Sequence, residues 1–265
     1  MDTTPKPASA GADAPSAAAA HDRRRLLRAF NASLAFILLL VAVFAAQPRL
    51  DVQALAVSPR DLQAWMGLLF APLLHGSPAH LMANAGAIII LGTLAGATYP
   101  RATVRALPLL WLGSGLGAWW LGEAGSRHLG ASGLTHGLMF MLFVLGLLRR
   151  DRASIAAGMI GFLFFGGMLL TVLPHEPGVS WQSHLGGALG GVLAGLLFRK
   201  ADPIPPRQRY SWELEADEAD RDEQPDDELE PPPPHGVPVL WRRDDGGQPR
   251  GVVLRFTPRP RQPPP

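Results

Sequence analysis

The sequence predicts an all-α polytopic membrane protein, a bundle of six transmembrane helices set between disordered tails. Three observations carry this: apolar stretches fill most of residues 29–198, arginines fall between them on alternate sides, and the remaining charge gathers at the two ends. A bilayer core of roughly 30 Å needs about 20 mostly apolar residues per helix. In lipid every backbone polar group must be paired, a condition that helices meet within one segment. The alternation of apolar and polar residues that marks a membrane β-strand is absent from these stretches.

Residues 1–25 are expected to form a disordered cytoplasmic leader, flat in composition and rich in Ala and Pro as far as Ala20. The first apolar run, Ala29–Ala46, follows Arg23, Arg24, Arg25 and Arg28, an arrangement shared with cleaved signal peptides. It is longer than a signal core and further apolar runs follow it, so it reads as a retained first span. Leu62–Leu74 is apolar but short and contains Trp65 and Pro72, which suits an interfacial or re-entrant piece. The later spans are expected at Ala79–Ala97, Val104–Leu121, Ser132–Leu148, Ser154–Leu173 and Ser183–Phe198, giving a six-span domain over residues 26–200. Residues 201–265 are expected to be a Pro-rich, acidic and mostly disordered cytoplasmic tail. Within it only Gly236–Trp241 and Gly251–Phe256 have strand-like composition, suited to a hairpin.

The formal net charge of +2 hides a segregation, because arginines flank the apolar runs while acidic residues concentrate from Glu213 to Glu230. That balance offers no footing for a nucleic-acid partner. Without cysteine there is neither a disulfide nor a thiolate metal site, so any nucleophile must be oxygen or nitrogen. Cytoplasmic loops carry the excess of Lys and Arg. One side collects Arg23, Arg24, Arg25, Arg28, Arg101, Arg105, Arg149, Arg150, Arg152, Arg199 and Lys200, against Arg49, Arg60 and Arg127 on the other. Both termini are therefore expected in the cytoplasm, and the second, fourth and sixth spans each begin at the outer face.

Polar side chains are costly in hydrocarbon, so each one in a span is a functional hypothesis. His80 and Asn84 lie near the start of the second span, Ser132 and His136 at the start of the fourth, and His184 at the start of the sixth. Three helix starts thus bring five polar groups to a similar depth below one surface. Singly, each has a bland reading: a histidine at a helix end is commonly interfacial, and a serine commonly bonds the carbonyl one turn back.

A metal site is one rival reading of His75, His80, His136 and His184. It is opposed by the lack of an H-E-x-x-H motif and of any acid within a span. Serine chemistry fits better, since a hydroxyl needs an adjacent base and a developing oxyanion needs donors. His184 is the candidate base for Ser132, and His80 and Asn84, at i and i+4, share a helix face as candidate donors. The acids between His75 and Gly195 are Glu123, Asp151 and Glu176, two in outer loops and Asp151 on the opposite side, so a dyad without an orienting carboxylate is expected. Gly186, Gly187, Gly190, Gly191 and Gly195 repeat at four-residue spacing, the pattern that lets helix backbones approach. Ser132 lies between Gly130 and Gly133, where the chain can turn sharply into the helix. These glycines are equally compatible with helix packing alone.

"HGSPAHLMANA" from His75, "GASG" from Gly130 and "SHLGGALGGVLAG" from Ser183 resemble the three motifs of rhomboid intramembrane serine proteases, in the same order and on matching spans. The resemblance covers about Ala29–Phe198 and implies a rhomboid-like bundle. It implies Ser132 as nucleophile, His184 as base, His80 and Asn84 as oxyanion residues, and His75 as a support for the loop before the second helix. Two positions depart from the usual pattern. Met66 and Gly67, with Trp65 one residue early, stand where a Trp-Arg pair is frequent, and His136 stands where many members carry a tyrosine that packs on the catalytic histidine. An imidazole at that place would also stack, and as a second titratable group its charge would discourage protonation of the first.

The function so implied is a serine endopeptidase that cleaves transmembrane protein substrates near the outer face of a bacterial inner membrane, with the lipid bilayer as its other partner and no cofactor, metal or nucleic acid. The alternative is a catalytically inactive rhomboid-like protein that binds or escorts membrane clients. A transporter or metal-dependent protease is more distant, given the lack of intramembrane acids.

Overall fold

The computed structural model describes residues 14–174, 178–203 and 211–222. The first helix, α1, runs from Ala14 to Ala46. It reaches back into the stretch expected to be a disordered leader, because Ala17–Ala20 and the following Arg and Leu residues are strong helix formers. The remainder of the expected leader lies outside the described residues.

After a 3₁₀ turn at Gln47–Arg49 the chain forms a long loop bearing two short helices, α2 (Val52–Leu55) and α3 (Met66–Phe70), and a second 3₁₀ turn at Ala71–Leu73. α3 with its turn covers the expected interfacial piece and is far too short to cross a bilayer. The loop is anchored without a Trp-Arg pair. A Cβ on Gly67 would collide with the carbonyl of Ala56, so the small residue lets α3 lie directly on the backbone at Ala56–Val57. Val57 and His128 form an antiparallel bridge. Arg127 bonds Ser58, and Arg60 donates to the Gly122 carbonyl at 2.7 Å.

The next helix starts at Ser77, whose side chain accepts from the backbone N–H of His80 at 3.1 Å, with Pro78 in the first turn. It comprises α4 (Pro78–Ala87), a π-helical turn (Ile88–Gly92) and α5 (Thr93–Thr98). Four further helices follow: α6 (Pro100–Leu121), α7 (Ser132–Arg149), α8 (Arg152–Phe165) and α9 (Trp181–Phe198). α8 tightens into a 3₁₀ segment, Gly166–Val172, at the Gly166–Gly167 pair, which is a poor continuation of an α-helix.

Among the described residues, four segments are long and apolar enough to cross a membrane: Ala19–Arg49, Pro78–Thr98, Ser132–Arg149 and Arg152–Val172. α6 and α9 occupy the expected third and sixth spans but fall short of that apolarity, because α6 opens with Arg101 and Arg105 and α9 with Gln182, Ser183 and His184, and both are rich in glycine. These are the closely packed helices of the bundle. α9 presents two rows of glycines to two neighbours. On the α6 side, a Cβ at Gly186 would strike the Gly113 carbonyl, and one at Gly190 would lie 2.6 Å from the Leu109 carbonyl. On the α7 side, Cβ atoms at Gly187 and Gly191 would strike the carbonyls of Gly133 and Gly137. Only residues without side chains permit backbones this close.

The largest core cluster joins α5 to α9 through Ala95, Leu110, Met141, Leu142, Ala157 and Ala194. Leu38, Trp120, Leu163 and Phe164 point outward and are exposed, the surface expected of a bundle that faces lipid.

The compact unit containing these helices extends to Pro206, past the expected boundary at residue 200. Asp202 explains the extension, since its carboxylate accepts from the backbone N–H groups of Arg101 and Ala102 at 3.0 and 2.9 Å and so caps α6 across a hundred residues. A second unit, Arg207–Pro265, contains α10 (Ser211–Asp222) within the tail expected to be mostly disordered. Glu, Leu and Ala favour the helical state there, and Glu213 in the first turn suits the helix dipole. The expected hairpin at Gly236–Trp241 and Gly251–Phe256 lies outside the described residues.

Candidate active site

α7 begins at Ser132, and no side chain caps its first turn. Ser132 Oγ therefore sits beside the orphan N–H groups and positive end of a helix dipole, a setting that favours negative charge. Gly130, two residues earlier, has φ +118°, a conformation open to glycine and strained for other residues. Its open side is filled by the His80 ring, to which an added Cβ would come within 2.7 Å of Nε2. Gly133 faces Ser114 of α6 and the Ser183 carbonyl, again with no room for a side chain.

α9 is capped by Ser180, which accepts from the Ser183 N–H at 3.4 Å. One residue further on, His184 is buried and points Nε2 at Ser132 Oγ, 2.8 Å away. Its Nδ1 lies 3.0 Å from the Thr171 carbonyl. A carbonyl only accepts, so Nδ1 carries the proton and Nε2 presents its lone pair to the serine hydroxyl. Among the described residues no acid bonds His184; a backbone carbonyl occupies the place of an orienting carboxylate.

His136, one turn into α7, stacks on His184 with ring centroids 3.9 Å apart and planes at 14°. Its Nδ1 is 2.7 Å from the Ser132 carbonyl and its Nε2 is 2.8 Å from the Thr171 hydroxyl. The ring packing expected at this position is present, in imidazole form.

His75 is buried and packs edge-on against His80 at 5.0 Å. Its backbone N–H and carbonyl are both bound by the Gln47 amide, at 2.8 and 2.9 Å, which ties the loop before α4 to the end of α1. Burial pushes the His75 imidazole down to about 4, and the neighbouring His80 adds to the shift. Asn84 is buried on the same helix face as His80, but its amide donates to the His80 carbonyl at 3.2 Å. One of its two amide hydrogens is thus engaged within its own helix.

Two residues not anticipated from the sequence complete the surroundings. Thr171 contacts both histidines. His128 accepts or donates to Ser126 at 2.9 Å and to Ser180 at 2.6 Å, linking the loop before α7 to the cap of α9. Burial lowers the His128 pKa, against a smaller opposing influence of Glu123. Neither residue belongs to a motif, and each acts through contacts distant in sequence.

The chain is 40% identical over 157 residues to uncharacterized proteins of Mycobacterium bovis and Mycobacterium tuberculosis, an alignment covering 56% of this chain and 65% of each of theirs. It is 37% identical over 139 residues to an uncharacterized protein of Mycobacterium leprae, covering 49% of this chain and 55% of that one. The match thus spans just under two thirds of the length of the first of these relatives. A sequence profile described as the Rhomboid domain matches residues 62–201, which include every site residue named above, and by that match the chain belongs to the rhomboid family of multi-pass membrane proteins.

Proposed function

We propose that the protein is an intramembrane serine endopeptidase acting through a Ser132/His184 dyad. The observation that carries this reading is the 2.8 Å contact between Ser132 Oγ and His184 Nε2, with the tautomer of His184 set from its far side. Members of the family are intramembrane proteases, which supports the same reaction class.

In the proposed reaction Ser132 Oγ attacks the scissile carbonyl as its proton passes to His184 Nε2. The negative charge that develops on the carbonyl oxygen is met by the Ser132 N–H at the uncapped start of α7, with His80 and Asn84 as side-chain donors. Asn84 takes part with its second amide hydrogen while the first stays on the His80 carbonyl. The imidazolium at His184 is stabilised by the Thr171 carbonyl until it delivers the proton to the leaving amine. Water then attacks the acyl-enzyme by the same route in reverse, with His184 again as base, and frees the carboxylate product. The substrate is a transmembrane helix opened near the outer face, since a hydrogen-bonded helix hides its peptide carbonyls. Small or helix-breaking residues near the cut would lower the cost of opening.

The test is cleavage of a transmembrane substrate by the full chain in liposomes. Ser132→Ala and His184→Ala are each expected to lower kcat by at least about 10³-fold with folding retained. Cleavage unchanged in both would overturn the dyad, and a wild-type protein that binds the substrate helix without cutting it would establish client binding instead.

A further inference from the structure

The two stacked imidazoles converge on one residue. Thr171 lies in the 3₁₀ segment that follows α8, and its backbone holds one ring while its side chain holds the other. Its carbonyl is 3.0 Å from His184 Nδ1 and its hydroxyl is 2.8 Å from His136 Nε2. The hydroxyl also lies 3.0 Å from the Met168 carbonyl three residues back, which on its own would be the ordinary local bond of a threonine in a helix.

The hydroxyl has one proton and two acceptors, and the choice between them follows from His136. The Ser132 carbonyl at His136 Nδ1 can only accept, so in the neutral ring Nδ1 carries the hydrogen and Nε2 is bare. His136 is 3% exposed, and a buried ring nitrogen left without a donor is destabilising. The Thr171 hydroxyl is the donor within reach. Donating to His136 rather than to Met168 leaves one carbonyl with a partner fewer, which a group with two lone pairs tolerates better.

We propose that Thr171 is the positioning residue of the site: its carbonyl fixes the tautomer of His184, and its hydroxyl, by donating to His136 Nε2, holds the stacked ring parallel against His184 and so sets the aim of His184 at Ser132. The inference rests on the dyad reading above. Thr171 bonds the two imidazoles and the Met168 carbonyl and not the reacting oxygen, so its effect reaches catalysis through the two imidazoles. A tyrosine or phenylalanine ring at position 136 would stack without presenting a bare nitrogen toward Thr171, and the hydroxyl requirement is specific to His136 in this chain.

The experiment uses the full chain in liposomes with a transmembrane test substrate, together with the rate at which an alkyl fluorophosphonate labels the active serine. Thr171→Val keeps the shape and the backbone carbonyl but removes the hydroxyl; Thr171→Ser restores it. The expected result is a loss of about tenfold in both kcat and labelling rate for Thr171→Val, with KM unchanged, a small fall in thermal midpoint from the unpaired His136 nitrogen, and Thr171→Ser within about twofold of wild type. In a His136→Leu background, where no bare nitrogen remains, Thr171→Val should cost nothing further. If Thr171→Val does not fold, the comparison of Thr171→Ser with Thr171→Ala carries the same expectation. Wild-type kcat in the hydroxyl-free variant, a loss confined to KM, a serine variant no better than valine, or full loss persisting in the His136→Leu background would each overturn the proposal. Ser132→Ala that still labels and cleaves would overturn the dyad reading itself, a result separable from all of these.

Discussion

The surroundings of Ser132 and the far end of the bundle are held together by different kinds of polar chemistry. Around Ser132 itself the contacts are made by uncharged groups: imidazoles, hydroxyls, an amide and backbone carbonyls, joining His184, His136, Thr171, Asn84, His75 and Gln47, while Arg60 and Arg127 bond only within the preceding loops. At the other end the groups are ionic. Arg149 forms an ion pair with Asp151 at 3.3 Å, donates to the carbonyls of Asp202 and Pro203, and lies over the Tyr99 ring at 5.2 Å. Burial pushes the Asp151 carboxyl up, but bonds from Ser154 and the Arg149 guanidinium outweigh it and hold the group below its ordinary value. A general base must be neutral and ready to accept a proton, so fixed charges beside it would bias it. The ionic end has no such duty and can use charge for anchoring.

If that contrast is sound, acid should weaken the first end before the second, and this is the largest effect expected on stability. His75 titrates near 6.5 when unfolded and about 4 when folded. Between those values the unfolded chain binds more protons than the folded one, so stability is full above pH 6.5 and falls as pH drops toward 4. The loss from His75 alone reaches up to about 3 kcal/mol, and His128, also lowered by burial, acts in the same direction. Thermal unfolding in detergent, followed from pH 7.5 to 4, should show the decline, and His75→Phe should flatten much of it. A wild-type profile level across that window would remove the distinction between the ends.

The ionic end is probed by Asp202→Ala, for which a loss of about 2 kcal/mol is expected, because two backbone N–H groups at the start of α6 lose their acceptor together. Activity per folded molecule should be unchanged, since the site lies at the opposite end. A fall in kcat without a fall in stability would mean that the two ends are coupled.

Asp202 also marks the limit of what could be read from the residues alone. The six helical stretches, the nearness of His136 and His184 to Ser132, and the glycine spacing were legible, because period, hydropathy and polar placement are local signals. The glycine rows were only half read. Their repeat announces close packing, yet nothing in the spacing says that Gly186 and Gly190 serve α6 while Gly187 and Gly191 serve α7. Asp202 stood among tail residues and gained its role from a partner a hundred positions away. Thr171 was hidden differently, for one of its two contacts is a backbone carbonyl, which every residue possesses. The helix at Ala14 was misjudged because a flat Ala-rich composition is shared by disordered leaders and by the start of a long helix.

The smallest effect expected lies at the turn between α7 and α8. Arg150 ends α7 with φ 56° and ψ 14°, a left-handed conformation that costs a side-chain-bearing residue roughly 1 kcal/mol. Its guanidinium offsets part of this by donating to the Leu147 carbonyl at 3.2 Å. Arg150→Gly removes the strain, loses that exposed bond and gives the unfolded chain more freedom, leaving a net gain of about 0.5 kcal/mol. Arg149 and Arg152 keep the loop basic, so insertion should be unaffected. A small rise in thermal midpoint with unchanged cleavage is the expected outcome. A drop in stability would instead mean that Arg150 belongs to the ionic network with Arg149 and Asp151, and that the charged end of the bundle is wider than its buried contacts indicate.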